Sequence, residues 1–156
     1  MPNTGQSLVM RAVIQRVRHA EVVVNGATVA YIGKGILALV AVSREDTCED
    51  LHWMARKIIE LRIFNDGEGK LNLSLQDTGG ELLVVSQFTL YGDCRKGRRP
   101  SYSRAASPPE AEKMYEQFVE IVRRIMPGVQ TGKFQAMMDV SLTNNGPVTL
   151  ILDSRT

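Results

Sequence analysis

The order of patterned segments (strands, helix, strand, helix, strands) predicts an α+β fold with helices on one side of curved antiparallel sheets. Three observations carry this. Alternating segments flank Asn25-Gly26, two amphipathic segments have helix-start signals, and two β-rich runs close the chain. With 156 residues and no internal repeat or boundary, residues 10–156 read as a single domain. Met10 directly precedes the first patterned segment, so Met1 to Val9 reads as an upstream extension or a tag, expected to be disordered, and is left out of the fold.

Each element has a local reason. "RAVIQRV", Arg11 to Val17, alternates polar and apolar, and "AEVVV" follows after a turn holding His19. Asn25-Gly26 is a strong hairpin signal because both positions tolerate positive φ, so "ATVAYIG" returns as the next strand. "GILALVAVS", Gly35 to Ser43, reads as a buried strand. Thr47 and Asp50, three apart, open an amphipathic helix on Leu51, Met54, Ala55 and Ile58 that runs to about Leu61. The Asp-Gly and Glu-Gly steps of Phe64 to Asn72 lack EF-hand spacing and read as a β-turn. "LLVVSQFTLYGD", Leu82 to Asp93, reads as a strand buried on both faces. Ser107, Pro108 and Glu110 start a second helix with Ala111, Met114, Phe118, Ile121 and Ile125 on one face, ended by Pro127-Gly128. "MMDVSLT" and "VTLILD" then read as two runs joined through Asn144 to Pro147.

Composition excludes several classes. Nineteen Lys and Arg stand against 17 Asp and Glu, so net charge says little about an acidic partner. Cys48 and Cys94 have neither CxxC spacing nor a nearby histidine, and read as reduced thiols rather than metal ligands. No run approaches the roughly twenty apolar residues of a membrane span, and the N-terminus lacks a signal-peptide pattern, so a cytoplasmic protein without membrane contact is expected. Nothing indicates a metal or organic cofactor.

Three segments remain as candidates for chemistry. Ser86, Gln87 and Thr89 interrupt an apolar run, and buried polar side chains need a partner or a role. Satisfied buried hydroxyls are one reading and a pocket wall is the other. His19 and His52 fall in no catalytic motif, so neither Ser86 nor Thr89 has an evident base to activate it. Directly after comes "RKGRRPSYSR", Arg95 to Arg104, where Arg95, Lys96, Arg98 and Arg99 could hold phosphates and Tyr102 could stack a base. A solvated loop has the same composition. "NNGPVT", Asn144 to Thr149, could present rigid carbonyl oxygens to a ligand or form a plain hairpin turn.

Taken together, SQFTL at Ser86 to Leu90 and N-x-G-P-x-T at Asn144 to Thr149 resemble the D-aminoacyl-tRNA deacylase family (D-tyrosyl-tRNA(Tyr) deacylases). "IQRV", "RIFNDGEGKLNLSL", "RRPSYS", "ASPPEAE" and "TGKF" extend the resemblance over the chain from Met10. It implies a homodimer of a β-barrel-like α+β fold with two main helices, and hydrolysis of the ester of D-aminoacyl-tRNA and glycyl-tRNA. Ser86, Gln87, Phe88 and Thr89 would form the pocket floor, with backbone N–H groups near Phe88 and Thr89 facing the substrate carbonyl. Gly146-Pro147, cis in this family, would enter the partner's pocket, catch the amino group and exclude L side chains. Arg16 would orient that motif, while Phe134, Ala136 and Met137 would line the adenosine side. The 2′-hydroxyl of the terminal adenosine would assist attack, with Thr89 as nucleophile the rival mechanism. An RNA-end binding module and a small-molecule esterase are the alternative classes.

Overall fold

The computed structural model describes residues 9–155. Most of the expected extension lies outside them, but Val9 is buried and its carbonyl accepts a hydrogen bond from the Tyr91 hydroxyl.

β1 (Arg11–Val24) is the hub of the sheet. It runs straight through His19, so the turn expected there is absent; alternating burial of Ala12, Ile14, Ala20, Val22 and Val24 continues the strand. Asn25 (φ 50°) and Gly26 (φ 79°) turn the chain into β2 (Ala27–Ile32), the expected hairpin. β3 (Gly35–Ala41) pairs antiparallel with the first half of β1, from Arg11↔Ala41 to Val17↔Gly35.

The remainder of the sheet is mixed rather than antiparallel throughout. β6 (Glu81–Ser86) lies parallel to β3, and β7 (Gln130–Thr131) lies parallel to β6. Parallel neighbours need long crossovers. The first crossover contains α1 (Cys48–Glu60), the hairpin β4 (Phe64–Asn65) and β5 (Leu71–Leu73), and the single turn α2 (Leu75–Thr78); the second contains α3 (Pro108–Ile125). The tight β4–β5 turn is closed by the Asp66 carboxylate, which accepts the N–H groups of Glu68 and Lys70 at 2.8 and 3.0 Å.

Both main helices form where their periodicity places them. Thr47 and Asp50 cap α1 reciprocally, the Thr47 N–H donating to Asp50 Oδ2 at 2.8 Å. Ser107 stands at the N-cap of α3 without a side-chain cap bond, and Pro108 opens the helix. The sheet curls into a nearly closed, barrel-like form with apolar residues on both faces. Met54, Ile58, Phe118 and Val122 of the helices pack with Ile14, Ile36, Leu82 and Val84 on one face. Val17, Val22, Ile32, Leu37, Leu83 and Val85 form a second cluster on the other.

β8 (Asp139–Asp153) corrects a second expectation: the two C-terminal runs are one antiparallel partner of β1, not the arms of a hairpin. Gln15 opposes Thr149 and Val17 opposes Asn144, so residues 145–148 bulge out opposite the single residue Arg16. Among the described residues, no helix is long and apolar enough to cross a membrane.

Candidate active site

The strand β6 stops at Ser86, so the apolar run does not continue to Asp93 as expected. The Gln87 N–H makes the last sheet bond, to the Val40 carbonyl at 2.7 Å, and Phe88–Tyr91 form one turn of 3-10 helix. Leu90 N–H bonds back to the Gln87 carbonyl at 3.2 Å, and the Gln87 side-chain amide donates to the Thr89 hydroxyl. These local bonds compete with the ladder and end it. The polar residues therefore lie at the strand's exit rather than inside it. Ser86 and Gln87 are half-buried, while Phe88 and Thr89 are exposed.

Neither the Phe88 nor the Thr89 N–H has a protein acceptor among the described residues. No histidine or carboxylate bonds Ser86, Gln87 or Thr89 either; His19 Nε2 instead lies 3.0 Å from Thr143 Oγ1 on the β1–β8 face, and His52 is on the exposed side of α1. The turn thus offers donors for a developing negative charge without a side-chain base.

Two residues that sequence reasoning passed over hold this turn. The buried Tyr91 hydroxyl is shared between the carbonyls of Val9 and Ala41, the latter at 2.9 Å. Burial, reinforced by the charge of Asp46, pushes this phenol above its usual range, so it remains a donor. Arg11 bonds Asp153 Oδ1 at 2.8 Å and reaches the Leu90 carbonyl at 3.5 Å. The only sequence signal for either is a Tyr or Arg at the edge of an apolar run.

Phe134, Ala136 and Met137 come to the same end of the sheet. β7 runs parallel to β6 with Val84 opposite Thr131, and the Gly132 N–H bonds the Val84 carbonyl at 3.0 Å, which carries the next residues alongside Ser86. Phe134 packs on Tyr115 at 5.8 Å between ring centroids, and Tyr115 donates to the Val84 carbonyl at 3.2 Å. Gln135 turns at φ 60°, Ala136 is half-buried and Met137 is exposed.

The basic segment leaves the turn as a closed loop. Asp93 and Ser101 exchange backbone bonds of 2.8 and 3.0 Å, and Arg95 forks onto the Asp93 carboxylate at 2.9 and 2.7 Å. Arg95 holds that carboxyl well below its usual range. Lys96, Arg98 and Arg99 are exposed and pair with no described carboxylate.

Arg16, Gly146 and Pro147 form a separate constellation. Arg16 is buried; its Nε donates to the Asn145 carbonyl at 3.0 Å and its Nη1 to the Ile63 carbonyl at 2.8 Å. The Asn144 amide donates to the carbonyls of Arg16 and Val148 at 3.0 and 2.9 Å. Gly146 has φ 128°, a region L side chains rarely adopt, and a Cβ there would stand 2.7 Å from Arg16 Nη2, so any other residue would be strained. The Gly146–Pro147 peptide bond is cis. A cleft of about 470 Å³ beside it is lined by Arg16, Asn145, Phe64 and Glu81, and includes none of Ser86 to Thr89.

The fold does not bring the two constellations together within one chain. Arg16 is level with Ile36 and Leu82, whereas Ser86 is level with Val40 and Ala12. Four residues of strand separate these levels, roughly 13 Å, and β1 and β3 intervene between β8 and β6.

Residues 13–153 match the family described as D-Tyr-tRNA(Tyr) deacylase. The chain is 60% identical over 146 residues to the D-aminoacyl-tRNA deacylase of Desulfatibacillum aliphaticivorans, covering 94% of this chain and 100% of that one. It is equally 60% identical to that of Thermosipho africanus, covering 98% of the relative. A solved structure titled c-Myc DNA Unwinding Element Binding Protein superimposes with TM-score 0.89 at 42% identity over 94% of this chain and 99% of that one. A second, described as a probable eukaryotic D-amino acid tRNA deacylase, shares the fold at TM-score 0.81 and 20% identity, covering 93% and 99%. By coverage and identity along almost its whole length, this chain belongs to the D-Tyr-tRNA(Tyr) deacylase family of hydrolases.

Proposed function

We propose that the chain hydrolyses the ester between a D-amino acid, or glycine, and the terminal ribose of tRNA in the cytoplasm, without a metal or organic cofactor, and spares L-aminoacyl-tRNA. The observation that carries this is the turn after Ser86: two neighbouring N–H groups, Phe88 and Thr89, without acceptors. They would bind the carbonyl oxygen of the ester and stabilise the oxyanion as it forms; losing one such donor typically raises a barrier by about 3 to 4 kcal/mol. With no protein base bonded to the turn, the 2′-hydroxyl of the terminal adenosine would assist attack by water. Thr89 would be a wall of the pocket, its hydroxyl already bonded by Gln87.

Chiral selection would come from a second copy of the chain. Gly146 and Pro147 are too far from their own Ser86 turn to share its pocket, which supports a homodimer in which each bulge enters the partner's site. The carbonyls of Gly146 and Pro147, which the β1–β8 register skips, would receive the substrate amino group, and main chain would block an L side chain. Arg16 would hold the bulge in orientation. Phe134, Ala136 and Met137 would line the adenosine, and Arg95, Lys96, Arg98 and Arg99 would lie along the tRNA backbone.

Release of labelled amino acid from D-tyrosyl-tRNA and L-tyrosyl-tRNA tests the reading. Fast loss of the D ester with the L ester intact is expected, and Thr89→Ala should keep most of the rate; complete loss would make Thr89 the nucleophile. A second reading, binding of a nucleic-acid end without turnover, draws on the 42% identity to a protein titled as a DNA-element binder. Tight, salt-sensitive binding with both esters intact would select it.

A further inference from the structure

Phe88 and Tyr102 meet edge to face, with ring centroids 5.1 Å apart and planes at 65°. Both rings stay open to solvent, Phe88 at 54% and Tyr102 at 38% exposure, and neither belongs to an apolar cluster of the core. The surrounding chain nevertheless fixes them. Gly92 sits closely against both the turn and the ring: a Cβ there would stand 3.0 Å from the Thr89 carbonyl oxygen and 3.2 Å from Tyr102 Cε1. The Asp93–Ser101 pair shuts the loop immediately before Tyr102, and the Ala105 N–H bonds the Tyr102 carbonyl at 3.1 Å.

The loop that closes next to this aromatic pair is cationic. Lys96, Arg98 and Arg99 project from the closed loop without a described carboxylate partner, while Asp93 is occupied by Arg95. A solvent-facing ring that follows directly on a closed basic loop suits a ligand with both phosphates and flat faces, which is single-stranded nucleic acid rather than a protein or a lipid surface. Phe88 links the two functions: its N–H belongs to the candidate ester site and its ring backs Tyr102.

We infer that Tyr102, supported by Phe88, is a stacking platform for the base of the nucleotide preceding the terminal adenosine, with Arg98 and Arg99 on the adjoining phosphates. This rests on the deacylase reading and names a subsite that the terminal adenosine alone does not occupy.

The test compares non-hydrolysable amide analogues: D-tyrosylamino-adenosine, the same group on a cytidine-cytidine-adenosine trinucleotide, and that trinucleotide with the base of the nucleotide next to the adenosine removed. The wild-type chain should bind the intact trinucleotide on the order of tenfold more tightly than the abasic one. Tyr102→Ala should collapse that ratio toward one, and Tyr102→Phe should keep it. A wild-type ratio near one would overturn the inference without help from any variant. So would a Tyr102→Ala chain that keeps the full ratio; if its affinities then fell together, the ring would be a support for the turn, and if its sedimentation changed, an interface between copies. The deacylase reading fails differently: D-tyrosyl-tRNA stays intact, whether or not the analogues bind wild type.

Discussion

The turn after β6 and the bulge in β8 both interrupt a strand, and they are built in opposite ways. At the turn, the Phe88 and Thr89 N–H groups find no protein acceptor and the Phe88 ring faces solvent. At the bulge, Arg16 and Asn144 tie three separate segments of main chain with four hydrogen bonds of 2.8 to 3.0 Å. One interruption is held from behind, by Tyr91 and Arg11, and leaves its front open. The other is immobilised at its base. An open front suits reception of a reacting oxygen, while an immobilised loop suits a gauge of shape.

The largest effect expected on this contrast is from Gly146→Ala. The Cβ conflicts with Arg16 at a φ that L side chains avoid, so the bulge must shift by a fraction of an ångström or more. Turnover of D-tyrosyl-tRNA should fall by about 100-fold, the scale set by misplacing a positioning group by about 1 Å. Mixing this variant with one disabled at the turn, Phe88→Pro, should restore part of the activity if the two regions act across subunits. Unmixed and mixed samples of equal activity would break the contrast.

Tyr91→Phe comes next. It removes the donor held by the Val9 and Ala41 carbonyls, and should lower stability by about 1 to 3 kcal/mol in urea denaturation. It should also slow turnover more than it weakens binding of substrate, because it loosens the back of the turn. A stability loss with unchanged kcat would remove Tyr91 from the support of the site.

The double change Arg98→Ala with Arg99→Ala should weaken tRNA binding and flatten its salt dependence, by about 0.7 in log–log slope per phosphate contact to single-stranded RNA. Chirality preference should be unaffected, since the proposed function assigns discrimination to the bulge. A change in the D-to-L ratio would show that the regions are not separable in this way.

The smallest effect is a control outside both regions. Burial, strengthened by the nearby charge of Asp50, raises the Asp46 carboxyl to about 6 despite the Ser43 N–H at 2.7 Å. The folded chain then keeps a proton that the unfolded chain loses, so this group's contribution to stability falls as pH rises from about 4 to 6. Asp50 moves the other way: burial would raise it, but the Thr47 N–H, Ser154 hydroxyl and Arg155 hold it below its usual value. Asp46→Asn should flatten the slope between pH 4 and 6 in urea midpoints while leaving the D-to-L ratio as it was.

How far the sequence reveals these two regions follows from the range of the forces involved. Both main helices were legible because capping residues and a 3.6-residue period act within a few positions. The strands were legible as strands, but their continuity was not. Nothing local shows that β8 supports β1 through His19, or that Asn144 to Pro147 bulges from a ladder instead of reversing it. The turn at Gln87 was hidden because Phe88 and Leu90 extend the apolar pattern, while the bond between the Gln87 amide and Thr89 breaks it. Parallel pairing across α1 and α3 is likewise a property of tertiary packing. The motif residues themselves stood out by their resemblance to a family. Tyr91, Arg11 and the contact of Phe88 with Tyr102 did not, because each works through a partner far along the chain or through ring geometry.

The bulge at residues 145–148 has a consequence for the protein's history. A gauge made of side chains can drift, since each substitution trims or widens it by a methyl group. Here the surface offered at Gly146 and Pro147 is main chain, and the side chains that shape it, Arg16 and Asn144, hold the carbonyls of Asn145 and Val148. Under the proposed function, most point changes on the outer side of the bulge therefore have nothing to alter, and those behind it damage folding and selectivity at once. Such an arrangement resists gradual change of preference: a lineage keeps the trait whole or loses it in one step.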